Sequence, residues 1–209
     1  MIKGLLAALS LFIISACAPS KHAVYLEDQA NLKKSCIASA PPSIKKISID
    51  ATIRMEPLAG CVAVERGVYE GMPYTRIHPG RSVEFAASDK ELPWVVSCEV
   101  DSITDKRSSF VRKGALSILS SELGSFVSVQ GAAFPGENMD IRVDQNQGFV
   151  LAGGQPLKSS SAENLMAQIR KGSTVATRFV EWPTRRIVDG VVDVTGFAQA
   201  VSYSESCFR

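Results

Sequence analysis

Apolar and polar residues alternate with a period of two over much of this chain. Ile47, Ile49, Ala51 and Ile53 interleave with Ser48, Asp50, Thr52 and Arg54, the pattern of a strand with one buried face. Residues 61–65 and 81–85 read the same way. Over residues 94–100 the side chains of Trp94, Val96, Cys98 and Val100 share one face. A tryptophan on the same face as a bridged cysteine is a common core device of small β-sandwiches. Residues 114–120, 126–130, 140–144, 174–182 and 186–194 predict further strands. Turn signals separate them: Pro57, Gly60, Gly67, Gly71, His78-Pro79-Gly80, Gly124, Pro135-Gly136 and Asn146-Gln147-Gly148.

Helical spacing is rarer. Ala162, Leu165, Met166 and Ile169 fall at i, i+3, i+4 and i+7. Ser160 and Glu163 precede them at capping-box spacing, Arg170-Lys171 occupy the last turn, and Gly172 sits where a C′ glycine belongs. The stripe must cover a sheet, and Met166 in it reads as core packing. Thr195 is expected to cap a short closing helix that buries Phe197, Ala200 and Val201 and ends at Cys207. A short helix over residues 25–34 is expected near the N-terminus. The pattern predicts a mainly β, β-rich α+β fold: antiparallel sandwich-like sheets, one covering helix and a short C-terminal helix, held by disulfides.

The first seventeen residues follow a different logic. Lys3 precedes an apolar run, Leu5 to Ile14, broken only by Ser10 and too short to span a bilayer. It ends in Ile14-Ser15-Ala16-Cys17, which resembles the lipobox of bacterial lipoproteins. The resemblance implies cleavage after residue 16, acylation of the Cys17 thiol, and a place in the bacterial cell envelope. That place is on the periplasmic side, with Ala18 after the cysteine favouring the outer membrane. Residues 1–16 are then a signal peptide and 17–46 a lipidated tether. Residues 47–88 form a small antiparallel β unit, and 89–209 a β-rich domain.

Export fits the cysteine usage. With Cys17 on lipid, Cys36, Cys61, Cys98 and Cys207 remain, an even number for an oxidising compartment. Cys36 with Cys61 and Cys98 with Cys207 is the favoured pairing, since each pair brackets one compositional half. The nested pairing, Cys36 with Cys207 and Cys61 with Cys98, is the rival. The formal charge of +2 implies neither a nucleic-acid partner nor an anionic-membrane partner. Attachment to the membrane comes from the lipid anchor.

Three stretches of the C-terminal half, taken in order, carry a further resemblance. They are the Trp94 strand with Cys98, the hairpin series through Ile141-Arg142-Val143-Asp144, and the run from Glu163-Asn164-Leu165 to Gly196-Phe197-Ala198-Gln199-Ala200. Together they resemble the invasion-associated locus B family of bacterial envelope proteins, over roughly residues 92–207. The resemblance implies an envelope-located, non-enzymatic protein, in some members tied to host-cell entry, and it transfers no catalytic residue. The lipobox and residues 47–88 lie outside it.

Catalytic apparatus is sparse. His22 lies in the tether, and His78 reads as a turn residue before Pro79-Gly80. A hydrolase would have to use His78, or an acidic pair such as Asp189 and Asp193, without a Gly-x-Ser-x-Gly elbow. No Cys-x-x-Cys or Cys/His cluster offers a redox or zinc site. Asp101 to Asp105 and Asp144 to Gly148 are faint calcium candidates that local Asx turns explain equally well. No metal or cofactor is expected. Tyr69, Tyr74 and Trp182, near turns or strand ends, are the candidate anchors for a partner. The expected function is therefore non-catalytic: an envelope lipoprotein that binds another envelope or host protein. The alternative is a carrier holding a small apolar or envelope-derived ligand between sheet and helix.

Overall fold

A computed structural model describes residues 21–41, 43–58 and 60–208. The signal segment and Cys17 lie outside the described residues. The chain opens with helix α1 (Lys21–Ala38) and continues through β1 (Thr52–Leu58), β2 (Gly60–Tyr69), β3 (Met72–His78) and β4 (Ser82–Phe85). Next come β5 (Trp94–Val100), β6 (Arg107–Lys113), β7 (Leu116–Ser121), β8 (Gly124–Val129), β9 (Met139–Val143), β10 (Phe149–Leu151) and β11 (Leu157–Lys158). Helix α2 (Ser160–Ile169), β12 (Thr174–Val180), β13 (Ile187–Asp193) and helix α3 (Phe197–Ser206) complete it.

Two antiparallel sheets form. Strands β1 to β8 run as a meander with β11 beside β8, giving nine strands; the second sheet has the order β10-β9-β12-β13. The fold is mainly β, as the alternation predicts. β4 pairs with β5 from Phe85 opposite Trp94 to Ser82 opposite Ser97. The sheet is therefore continuous across residues 86–93.

One apolar cluster fills the space between the sheets. Val83, Phe85, Trp94, Val96, Leu116 and Ile118 come from the large sheet, and Ile141, Val143, Val175 and Phe179 from the small one. Each large side chain fully removed from water contributes roughly 1.5–3 kcal/mol. Helix α2 adds the predicted stripe, with Ala162, Leu165 and Ile169 wholly buried. Its N-cap is Ser159, one residue before the expected box, and makes no side-chain cap. Gly172 serves close packing: a Cβ there would meet Val143 Cγ1 at 2.5 Å. Helix α3 lies on β5 and β6, with Phe197 against Trp94 at 5.1 Å between ring centroids. The residue capping α3 is Gly196, left-handed at φ 85°, rather than Thr195. Thr195 instead gives its carbonyl to the Trp94 indole N–H at 3.0 Å.

The disulfides are Cys36–Cys61 and Cys98–Cys207. The first ties the C-terminal end of α1 to β2; the second ties the end of α3 to β5.

Three other expectations need correcting. α1 spans 18 residues, well beyond the helix expected at 25–34, and occupies much of the segment read as a flexible tether. The strand expected from residue 47 begins at Thr52, and Ile49, assigned to the buried face, is 94% exposed. β3 and β6 were not legible at all. Their inward side chains include Arg76 and His78 in β3, and Ser109 and Lys113 in β6, so apolar alternation is absent where the backbone alternates.

Candidate functional site

Two places gather polar and aromatic chemistry. The first is the turn between β12 and β13. Glu181 accepts the Arg185 N–H at 2.8 Å through its backbone carbonyl, which closes the turn. The loop 131–134 lies alongside: Trp182 N–H donates to Ala132 O at 2.6 Å, and Phe134 N–H donates to Val180 O at 2.7 Å. This backbone frame fixes the side chains. The Trp182 ring packs on Phe134 at 4.9 Å between centroids, and the Arg185 guanidinium lies 4.2 Å from the Phe134 ring centre. Arg185 Nη2 also donates to Glu137 Oε1 at 2.6 Å, while Thr184 Oγ1 and Arg186 Nη2 both reach Glu181. Trp182 nevertheless stays 53% exposed, and Ile187 beyond it 60%. An indole and a guanidinium are thus held in place while facing water.

The outer face of the small sheet continues from this turn as an open trough of about 510 Å3. Ala176, Val150 and Val191 supply apolar surface there, and Arg142, Asp140 and the Arg178–Asp189 pair supply charge. Arg178 Nε donates to Asp189 Oδ1 at 2.6 Å, and Nη2 to Oδ2 at 2.9 Å. The Arg178 hydrogen bonds hold the Asp189 carboxyl below its ordinary range.

The second place is interior. Glu65, on β2, is fully buried, yet it is satisfied on both oxygens. Oε1 accepts the Tyr74 hydroxyl at 2.6 Å and the Ile47 amide at 2.6 Å; Oε2 lies 3.0 Å from His78 Nε2, which donates to it. Tyr74 Oη in turn accepts the Ser48 amide at 3.2 Å. Burial pushes the Glu65 carboxyl up, but the donors Tyr74, Ile47 and His78 outweigh it, and the net shift is downward. Burial first, then the neighbouring Glu65 carboxylate, drives the Tyr74 hydroxyl far above its ordinary value. The cluster therefore holds one anion and the segment 47–48. His78 Nε2 is spent on this carboxylate, which makes the residue a strand-end anchor rather than the turn residue expected.

The predicted partner anchors separate. Trp182 is the exposed one. Tyr74 is 3% exposed with its hydroxyl engaged inside, so its ring is part of the interior and not an outward anchor. Tyr69 is half-buried, with its ring edge-on to Phe85 and Tyr203 at 6.1 and 5.7 Å. Of the two acidic stretches, the first makes a local turn and the second ties the end of β9 to the start of β12. Asp101 Oδ1 accepts the Ile103 and Thr104 amides, and Asp144 accepts the Ser173 and Thr174 amides. Of the acidic pair, Asp189 is taken by Arg178, and Asp193 Oδ1 accepts the Thr195 amide at 2.7 Å. Beneath α2, Leu165, Ile169, Ile141 and Leu151 are each fully buried and occupy the space where a carried ligand would sit. Sequence reasoning missed Phe134 and Arg185. The signal for them is long-range, since loop 131–134 comes to the turn through the isolated bridge of Ala133 with Glu181, 48 residues along the chain. Comparison of the chain with protein-family models, curated proteins and solved structures finds no match.

Proposed function

We propose that this protein is a lipid-anchored envelope protein that works as a non-catalytic interaction module, with the β12–β13 turn as its docking point. The observation that carries the reading is Trp182, 53% exposed yet packed at a tilt on Phe134 beside a fixed Arg185. Tryptophan and arginine are the side chains that most often dominate binding energy at interfaces. A side chain already ordered before contact loses little entropy on docking, which leaves more of its burial as affinity. The lipobox-like Ile14-Ser15-Ala16-Cys17 supports the anchored, extracytoplasmic placement, and the two disulfides fit an oxidising compartment.

The test is photo-crosslinking in the cell. A benzophenone amino acid placed at position 182 of the full chain is expected to give a discrete adduct. The same group at Leu123, 83% exposed and in the β7–β8 turn, is expected to give none. Equal labelling from both positions would remove the docking point. Mass analysis of the N-terminal peptide tests the anchor: an acylated Cys17 is expected, and an intact residue 1–16 segment would overturn it.

A further inference from the structure

We infer that β13 is an open docking edge that accepts an extended segment of a different protein as an added strand; this rests on the interaction-module reading and names the partner's conformation. Exposed sheet edges are ready templates for pairing, and proteins ordinarily blunt them with proline, short length or a covering element. Three of the four edges here are blunted. β1 carries Pro57 and has α1 packed on it. β10 is 3 residues long and β11 only 2. β13 is 7 residues long, holds neither proline nor lysine, and runs in unbroken register with β12 from Val180–Ile187 to Thr174–Asp193. Among the described residues no strand lies beyond it.

Its unpaired backbone groups can be assigned. Glu181 N–H donates to Arg186 O, and Val194 N–H donates to Ser173 O. In an antiparallel ladder hydrogen-bonded pairs recur every second residue. Arg186, Val188, Gly190, Val192 and Val194 therefore bond to β12. Ile187, Asp189, Val191 and Asp193 turn their N–H and C=O groups outward. The same four side chains stand on the outer face, alternating apolar and acidic, with Ile187 and Val191 60% and 69% exposed.

That alternation chooses the occupant. A second copy pairing antiparallel in any register that keeps faces together sets Asp189 against another acid or an acid against an apolar side chain. Opposed like charges destabilise a strand pair. A partner strand with valine-like side chains opposite Ile187 and Val191, a basic one opposite Asp193, and one opposite Asp189 that shares the carboxylate Arg178 already holds, satisfies all four positions. It would leave the edge beside Trp182, at the turn that begins β13.

The probe is the peptide acetyl-Lys-Thr-Val-Thr-Lys-Thr-Val-amide, titrated into the full isotope-labelled chain in detergent micelles. At ~90% occupancy the amides of Ile187, Asp189, Val191 and Asp193 should exchange about tenfold more slowly. The peptide N-methylated at alternate edge-facing amides, and the Val191→Pro protein, should each lose that protection. The inference is overturned if the four amides are unchanged, or if the methylated peptide protects them equally. It is also overturned if they are protected without peptide in a concentration-dependent manner, which would make a second copy the occupant. The crosslinking at position 182 reads the module, whereas this titration reads the edge alone, so the two fail separately.

Discussion

Glu65 Oε1 accepts the backbone amide of Ile47 at 2.6 Å across 18 residues of chain, and it does so from a fully buried position on β2. One carboxylate thereby fastens the segment before β1 onto the second strand. Replacing it leaves the Tyr74 hydroxyl and the Ile47 amide without an acceptor. Glu65→Ala should cost about 3–5 kcal/mol, the size expected when one member of a buried ionic cluster is removed. Urea unfolding measures it. A loss below about 1 kcal/mol would show that water replaces the carboxylate at no great cost.

The same group sets an acid limit. Glu65 lies below its ordinary value of 4.5 in the folded protein, where burial is outweighed by the Tyr74, Ile47 and His78 donors. As pH falls, the unfolded chain therefore binds its proton first. The Glu65 contribution is complete above 4.5 and is lost as pH falls through the folded value. Stability curves from pH 7 to 3 should be steeper for the wild-type protein than for Glu65→Gln in the acid range. Parallel curves would assign the acid sensitivity to other carboxylates.

Gly67 lies beneath Tyr74. A Cβ on Gly67 would come within 2.9 Å of Tyr74 Cε1 and Oη, and 3.0 Å from Ala51 Cβ. Gly67→Ala should therefore destabilise by ~1–3 kcal/mol through displacement of the Tyr74 ring. In a Tyr74→Phe background the loss should shrink, because one of the two clashing atoms, the hydroxyl oxygen, is gone. Strict additivity in that cycle would mean the ring does not move.

Cys98 and Cys207 close a loop of 109 positions. In the chain-entropy model that closure is worth about 4.8 kcal/mol. Cys98→Ser should lower the thermal midpoint markedly and leave one free thiol at Cys207. Thiol labelling of the unfolded wild-type protein should find Cys36, Cys61, Cys98 and Cys207 all blocked.

Sequence legibility tracked the chemistry of inward-facing side chains. β5 could be read to its ends because Trp94 and Val96 alternate with less buried neighbours. β3 could not, because its inward row is Met72, Tyr74, Arg76 and His78, and two of these, Tyr74 and His78, answer to Glu65 on another strand. Residues 47–51 misled in the opposite direction. Their alternation is strand-like, yet the backbone hydrogen bonds of Ile47 and Ser48 go to side chains of Glu65 and Tyr74 instead of a ladder. Trp182 was legible as an aromatic in a turn. Its partners Phe134 and Arg185 were not, since nothing local in the chain brings residue 134 to the end of β12.

The two covalent crosslinks also dictate how the protein would bear tension between its ends. Pulling on α1 enters the body at Cys61 through Cys36, and pulling on the end of α3 enters at Cys98 through Cys207. β1 lies within one shielded loop, and everything from β6 to α3 lies within the other. Between the two crosslinked loops, the run from Cys61 to Cys98, strands β2 to β5, can be drawn out. A molecule tethered at one end and gripped at the other would therefore yield by a short, bounded extension, and the small sheet, with β13 and the Trp182 turn, lies in a loop that carries none of the tension.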